Sequence, residues 1–418
     1  MKNIIKIAWR NLFRYTRRTL LTSSLIVVGV TLVIVFGGVG NFFKNETIST
    51  LTNTTIGDMQ IHKKGYVSSI DNLPLNITIP EKGLKKIEGI LNGNPEVKAY
   101  SERIRFAAMI SNSVQTTNIR LTAIHPEQEN QTCADLIKKI KYGDPNPNTL
   151  LKPGHIIIPL NIANGMKLKI GDEVVVIATN KDGSVNGLTL KIFGISENIS
   201  GPQGRDGYVH VDDAISLLRI ENGEITEIAV KLNNFDRLNK TYLQLKNDNL
   251  SKMIGQKNNG QPSFEIHTWE DLSPFASIAK IVTLLIMVVR VFINLIILIS
   301  ILDVMMMSVY ERVGEIGTIA SLGTSPSKIL MLFLTEGLSL GFISAVVGGI
   351  LGMVFLSIIS AIKLNFKFGM MKLSLVPQIP VGEIAIILVI VILISTLASL
   401  QPALKASKME PVEALRHV

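Results

Sequence analysis

Four long apolar runs, one near the start of the chain and three near its end, constrain the fold more than any other feature. They lie at 19–43, 277–307, 337–362 and 384–404. A bilayer core about 30 Å thick is crossed by roughly 20 apolar residues in a helix, and each run is that long. Between the first and second runs, residues 44–275 form a polar stretch long enough to fold as a domain by itself. The layout predicts a membrane α-helical protein with four spans in a 1+3 arrangement and a large α/β extracytoplasmic domain. A composition of 47% hydrophobic and 18% charged residues suits nearly charge-free spans joined to ordinary globular protein.

The net charge of +9 fits membrane topology better than nucleic acid. Its densest block abuts the first span, and no nucleic-acid recognition motif accompanies it. Over residues 1–18, Lys2, Lys6, Arg10, Arg14 and the pair Arg17 and Arg18 recur at helical spacing with no acid among them. On a helix they share one face, while Ile5, Ala8, Trp9 and Leu12 fall towards the other. Such a helix would lie at the membrane surface with its basic side against anionic lipid on the cytoplasmic face. Alternatively these charges only enforce orientation by the positive-inside rule. Both readings keep the N-terminus in the cytoplasm. A cleaved signal peptide fits less well, because the apolar run is too long and 37–41 offers no cleavage pattern.

Counting spans from an inside N-terminus puts 44–275 outside, 308–326 inside, 363–379 outside and the tail 405–418 inside. Lys363, Lys367 and Lys372 in the outer loop run against this count, and the basic termini run with it. The second span, 276–307 with its stalk, is longer than a bilayer needs. If its helix leaves the membrane near Tyr310, Arg290 reaches the outer headgroups, where it can snorkel. Asp303 lies deeper, and a hydrogen-bonding role in the bundle or near the inner interface suits it better than a proton relay. The third span, 327–362, carries Gly337-x-x-x-Gly341 and Gly348-x-x-x-Gly352, spacing that lets helix backbones approach closely. The fourth occupies 380–404.

The connection at 308–326 is the sharpest local motif. Gly323 suits a helix C-terminus, and Ser325 followed by Pro326 suits the cap and first position of the next helix. Glu311 and Glu315 lie four apart with Arg312 beside them. A solvated amphipathic linker and a partner-docking helix both satisfy this pattern.

The polar stretch reads as mixed α/β. Strands are expected at 58–62, 104–111, 117–124, 155–159, 173–179 and 188–195. Helices are expected at 81–91, through Leu84, Ile87 and Leu91, and at 236–245. Cys133 is the single cysteine, so neither an intrachain disulfide nor a cysteine metal cluster can form. The histidines are scattered, no serine sits in Gly-x-Ser-x-Gly, and no Gly-x-x-x-x-Gly-Lys-[Ser/Thr] loop occurs. No metal site and no catalytic constellation is expected.

The run Val309-Tyr310-Glu311-Arg312-x-x-Glu315-Ile316-Gly317, then Leu322-Gly323 and Phe333-Leu334-x-Glu336-Gly337, resembles the FtsX-like permeases. That family includes the macrolide-exporter (MacB) type and the lipoprotein-releasing (LolC/LolE-like) ABC transporters. Ala8–Leu12 with Arg17–Thr22, Gly57–His62 with Gly65-Tyr66, Gly171–Val174, and Pro402-Ala403 with Pro411–Arg416 resemble further family segments in order. The resemblance implies that Tyr310, Glu311, Arg312, Glu315, Ile316, Leu322 and Gly323 form a coupling element seated in an ABC ATPase. ATP and Mg would be held by that partner, with no cofactor on this chain. It further implies work done across the membrane without passage of substrate through the bilayer, called mechanotransmission. Implied partners are a second permease copy or paralogue, membrane lipids, and a lipoprotein or other hydrophobic cargo, in the bacterial inner membrane. The outer domain would have two lobes, with a β-rich insertion near 125–225. The chain opens on its basic helix, so a fused ATPase ahead of the first span is not expected. Lipoprotein release is the leading reading. Efflux of a drug, peptide or toxin with a periplasmic adaptor, and transduction to cell-wall hydrolases, are the alternatives.

Overall fold

The computed structural model describes residues 7, 10, 14, 16–143, 151–197, 204–221, 223–250, 263–273, 275–368, 371–377 and 379–409. The chain divides into two compact units, Met1–Asn45 with Lys280–Val418, and Glu46–Ala279. Among the described residues four helices are long and apolar enough to cross a membrane: Thr19–Ile56, Ala276–Glu311, Pro326–Ile362 and Val381–Ser407.

Helix α1 (Thr16–Leu51) does not stop at 43, where the apolar run ends; it continues into a π-helical turn, Thr52–Ile56. No glycine or proline interrupts 44–56, and the first breaker is Gly57, at φ +77°. The buried face of α1 carries Ile26, Val30, Val33 and Ile34, three and four residues apart, while Leu20, Leu21, Leu25, Val28 and Leu32 point outward. That is the stripe a membrane helix shows when protein covers one side and lipid the other.

The second long helix of the bundle, Phe275–Glu311, likewise outruns the expected limit of 307. The third and fourth are Pro326–Ile362 and Val381–Ser407. The two glycine pairs serve different neighbours. A Cβ on Gly337 or Gly341 would fall 1.7 Å from Ser399 Oγ or 2.2 Å from Ser395 Oγ, both on the fourth span. A Cβ on Gly348 or Gly352 would fall 2.8 Å from Val30 or Ile34, both on the first. Ser395 Oγ then donates to the Gly337 carbonyl at 2.6 Å across the gap that the glycines leave open. Residues 363–379, read as a loop, contain an antiparallel hairpin, Asn365–Phe368 with Met371–Ser374.

The second unit is built on one mixed sheet. Its strands are β1 (Met59–Lys63), β2 (Val97–Ser111), β3 (Thr116–Ile124), β4 (Ile140–Tyr142), β5 (His155–Pro159), β6 (Glu173–Thr179), β7 (Val185–Ser196), β8 (Asp206–His210), β9 (Glu227–Leu232) and β10 (Phe264–Thr268). They run in the order β10-β1-β9-β2-β3-β8-β5-β7-β4, with β6 on β2 and β7. The expected β-rich insertion near 125–225 is therefore not a separate sheet. Strand β2 is long enough to serve both halves: Val97–Arg103 pair with β9, and Met109–Ser111 pair with β6. Helix α2 (Glu81–Asn92) lays Leu84, Ile87 and Leu91 onto the main core, as their spacing predicts. The expected helix at 236–245 is split into a 3-10 turn, Phe235–Arg237, and Leu238–Gln244.

Candidate functional site

The second membrane helix ends at Glu311, and Arg312, at φ −111° and ψ 17°, breaks it before a short helix, Val313–Ser321. The break explains why 310–322 is not one continuous helix. Gly323 closes the short helix at φ +85°, a conformation open to glycine at little cost. Ser325, extended at φ −64° and ψ 146°, and Pro326 then start the third span.

Arg312 is the centre of this elbow, and it faces inward. Its side chain is buried (the residue is 5% exposed), and Nη1 donates to both carboxylate oxygens of Glu336, at 2.9 and 3.2 Å. Nε donates to Glu315 Oε2 at 3.1 Å, and the guanidinium lies 5.3 Å from the centre of the Phe333 ring. Ile316 is buried in the same cluster as Val309, Ile329 and Phe333. Arg312 and Ile316, expected at a partner surface, thus hold the elbow to the third span. A guanidinium at the end of an apolar helix costs less when a carboxylate and a ring replace its water.

The groups left outward are Tyr310, Glu311 and Leu322, the last 82% exposed, with Gly323 beside it. The Tyr310 hydroxyl accepts from Lys405 at the end of the fourth span, which also lies 4.6 Å from the ring centre. Glu315 is half-exposed and takes a second ion pair from Arg14, at 3.2 Å. Arg14, assigned to the lipid surface, therefore also reaches the elbow; both side chains are exposed, so the pair adds little stability. Arg10 and Arg17 are exposed. Lys2 and Lys6 lie outside the described residues, as does the side chain of Arg18. The tail motif 411–416 lies outside them too.

The family-like run contains Glu336, of which no role was expected. The available signal was a carboxylate within an apolar span, which is costly unless paired. Arg290 likewise has a carboxylate partner. Rather than reaching out alone, it donates to Glu383 at 2.6 Å, and Asn41 donates to the other Glu383 oxygen at 2.9 Å. Asp303 is exposed on the second span.

A second ionic cluster lies inside the sheet unit. Arg103 is fully buried; Nε and Nη2 bridge the two oxygens of Glu129 at 2.9 and 2.6 Å, and Nη1 reaches the Thr55 carbonyl and Glu227. It ties the π-turn at 52–56 to two strands and to the helix Pro126–Thr132. Burial pushes the Glu227 carboxyl up, but Arg105, His62 and Arg103 outweigh it and bring it down to about 2. Cys133, beside Arg103, has its thiol pushed up to about 12, chiefly by burial. Asp58 is buried too, accepting from Lys231 at 2.7 Å and from the Leu232 amide at 2.8 Å. Gly57 must precede it, because a Cβ there would sit 3.0 Å from the Val230 carbonyl. Among the described residues no group of three His, Cys, Asp or Glu side chains is placed to hold a metal.

Comparison with known families agrees with this architecture in both units. The MacB-like periplasmic core domain matches residues 19–247, more than half of the chain, and the FtsX-like permease C-terminal family matches 287–411. The chain belongs to the FtsX-like, MacB-type ABC transporter permeases. It is similar to the lipoprotein-releasing system transmembrane protein LolC of Neisseria meningitidis, at 23% identity over 96% of this chain and 94% of that one. An ABC transporter permease of Bacillus subtilis, YknZ, is 24% identical over 99% of this chain and 98% of its own. The macrolide export ATP-binding/permease protein MacB of Chromobacterium violaceum is 26% identical over 50% of this chain and 28% of its own. As an FtsX-like permease, the protein is an ABC transporter component that spans a membrane through four helices and carries a MacB-like domain between the first and second.

Proposed function

We propose that this permease couples an ATPase on the cytoplasmic side to the release of lipoproteins from the inner membrane for delivery to the outer membrane. The observation that carries the reading is the match to a lipoprotein-releasing protein along almost the whole of both chains, soluble domain included. The elbow supplies the means. A cation clamped between Glu315 and Glu336 makes the short helix rigid with the third span, so a push on the exposed Tyr310–Leu322 surface reaches the bundle instead of bending the turn. ATP and Mg belong to the partner ATPase, and a second permease copy or paralogue completes the unit. The termini lie inside and Glu46–Ala279 outside.

Efflux of a drug, peptide or toxin through a periplasmic adaptor is the second reading, favoured by the similarity to the macrolide exporter MacB. The two separate in lipid nanodiscs holding the permease with its co-purified ATPase. Acylated lipoprotein should raise ATP turnover, and the same protein without its acyl chains should not. An equal response to both removes the release reading. For the coupling surface, Leu322→Asp should leave the permease folded and weaken ATPase association at least tenfold; undiminished association removes the assigned surface.

A further inference from the structure

We infer a phosphate-binding site for a phospholipid headgroup in the membrane unit, on the membrane face opposite the 312–323 elbow. A cavity of about 400 Å³ opens between the first, second and fourth spans, with Asn41, Lys44, Ile286, Met287, Arg290 and Glu383 among the residues that line it. Its depth follows from helix geometry. Arg290 precedes Tyr310 by twenty residues on the unbroken helix Phe275–Glu311, and at 1.5 Å per residue that is about 30 Å, the thickness of a hydrocarbon core. With Tyr310 at one interface, Arg290 is at the other, among headgroups.

The charge in the cavity selects an anion. Glu383 has both oxygens occupied, one by Arg290 Nη2 at 2.6 Å and one by Asn41 at 2.9 Å. What remains is donor-rich: Arg290 Nε is buried with no hydrogen-bond partner, and among the described residues nothing pairs with the Lys44 ammonium. A buried N–H without an acceptor is costly, and a phosphate oxygen in charge-assisted contact would satisfy it. Ile286 and Met287 line the same cavity, and outward-facing Leu284 and Leu285 continue the apolar surface along which acyl chains can lie. Gly40 permits the close approach that shapes the cavity, since a Cβ there would fall 2.5 Å from Ile286 Cδ1. The shared chemistry is a phosphate. The lipid source is favoured over a free anion because the cavity lies at headgroup depth beside an apolar flank.

The test uses the full chain, purified in a neutral maltoside and examined by native mass spectrometry. Phosphatidylglycerol should be retained in a saturable one-to-one complex, and diacylglycerol with the same acyl chains should not. Lys44→Glu, which breaks no described contact, should lower that retention about tenfold. Arg290→Lys, which keeps a charge for Glu383 but removes the Nε donor, should also lower it. Equal retention of diacylglycerol, or unchanged retention in Lys44→Glu, overturns the site. Binding of inorganic phosphate without phosphatidylglycerol overturns the lipid assignment.

Discussion

Loss of the carboxylate of Glu336 is the most direct probe of the elbow. In Glu336→Leu the buried guanidinium of Arg312 loses its two-oxygen contact and keeps the bond to half-exposed Glu315 and the Phe333 ring. Breaking one side of a buried pair costs about 3–5 kcal/mol, because the other charge stays behind without its partner. The surviving Glu315 contact places the expected loss at about 3 kcal/mol. Arg312→Leu takes from buried Glu336 the guanidinium that contacts both of its oxygens, and should cost a similar amount. The double variant strands neither, and apolar side chains suit a site already lined by Phe333 and Ile316. Replacing both members of a buried pair by apolar residues is often close to neutral. The double-mutant cycle should therefore show at least about 2 kcal/mol of coupling. Steric trapping of the doubly tagged chain in bicelles measures these stabilities reversibly. Single losses that add within about 0.5 kcal/mol would mean that the pair is not a coupled buried clamp, and the rigid-elbow mechanism would lose its basis.

Gly341→Val should destabilise the bundle by about 1–3 kcal/mol, because its Cβ would stand 2.2 Å from Ser395 Oγ, whereas Gly382→Ala meets nothing within 4 Å and should be tolerated; steric trapping compares them. In the sheet unit Glu227 titrates near 2 when folded against 4.5 as its ordinary value. A depressed carboxylate stabilises above its unfolded value, so roughly 3 kcal/mol should be lost as pH falls from about 4.5 to 2. Glu227→Gln should flatten that part of a chemical-denaturation profile, and an unchanged acid limb would refute the assignment. Cys133 should resist maleimide in the folded protein and react only after unfolding, since burial holds its thiol high; rapid native labelling read by mass spectrometry would contradict this.

Much of the soluble fold could be read locally. The strands at 155–159 and 173–179 need only a run of β-branched residues, and they appear with those limits. The helix 81–91 follows from Leu84, Ile87 and Leu91 at helical spacing. Strand β2, expected over 104–111, begins at Val97, because its first half is recognised by pairing with β9, more than 120 residues away. The same long strand carries the sheet into 125–225, so the expected second lobe shares one hydrogen-bonded ladder with the first. In the elbow, the turn residues Gly323, Ser325 and Pro326 act on their own backbone and were legible. The inward aim of Arg312 was not, because its partner Glu336 is 24 residues and two helix starts away.

Apolar length and charge placement along the chain were sufficient for the four spans, the domain between the first and second, and the position of the elbow. These properties depend on hydrophobic transfer and local backbone preference, and neighbours in sequence carry them. Packing settled the rest. It set Gly337 and Gly341 against the fourth span and Gly348 and Gly352 against the first, turned Arg312 and Ile316 inward, and joined Arg290 to Glu383. A charge inside an apolar bundle goes where its counter-charge is, and only the folded chain brings that counter-charge within 3 Å.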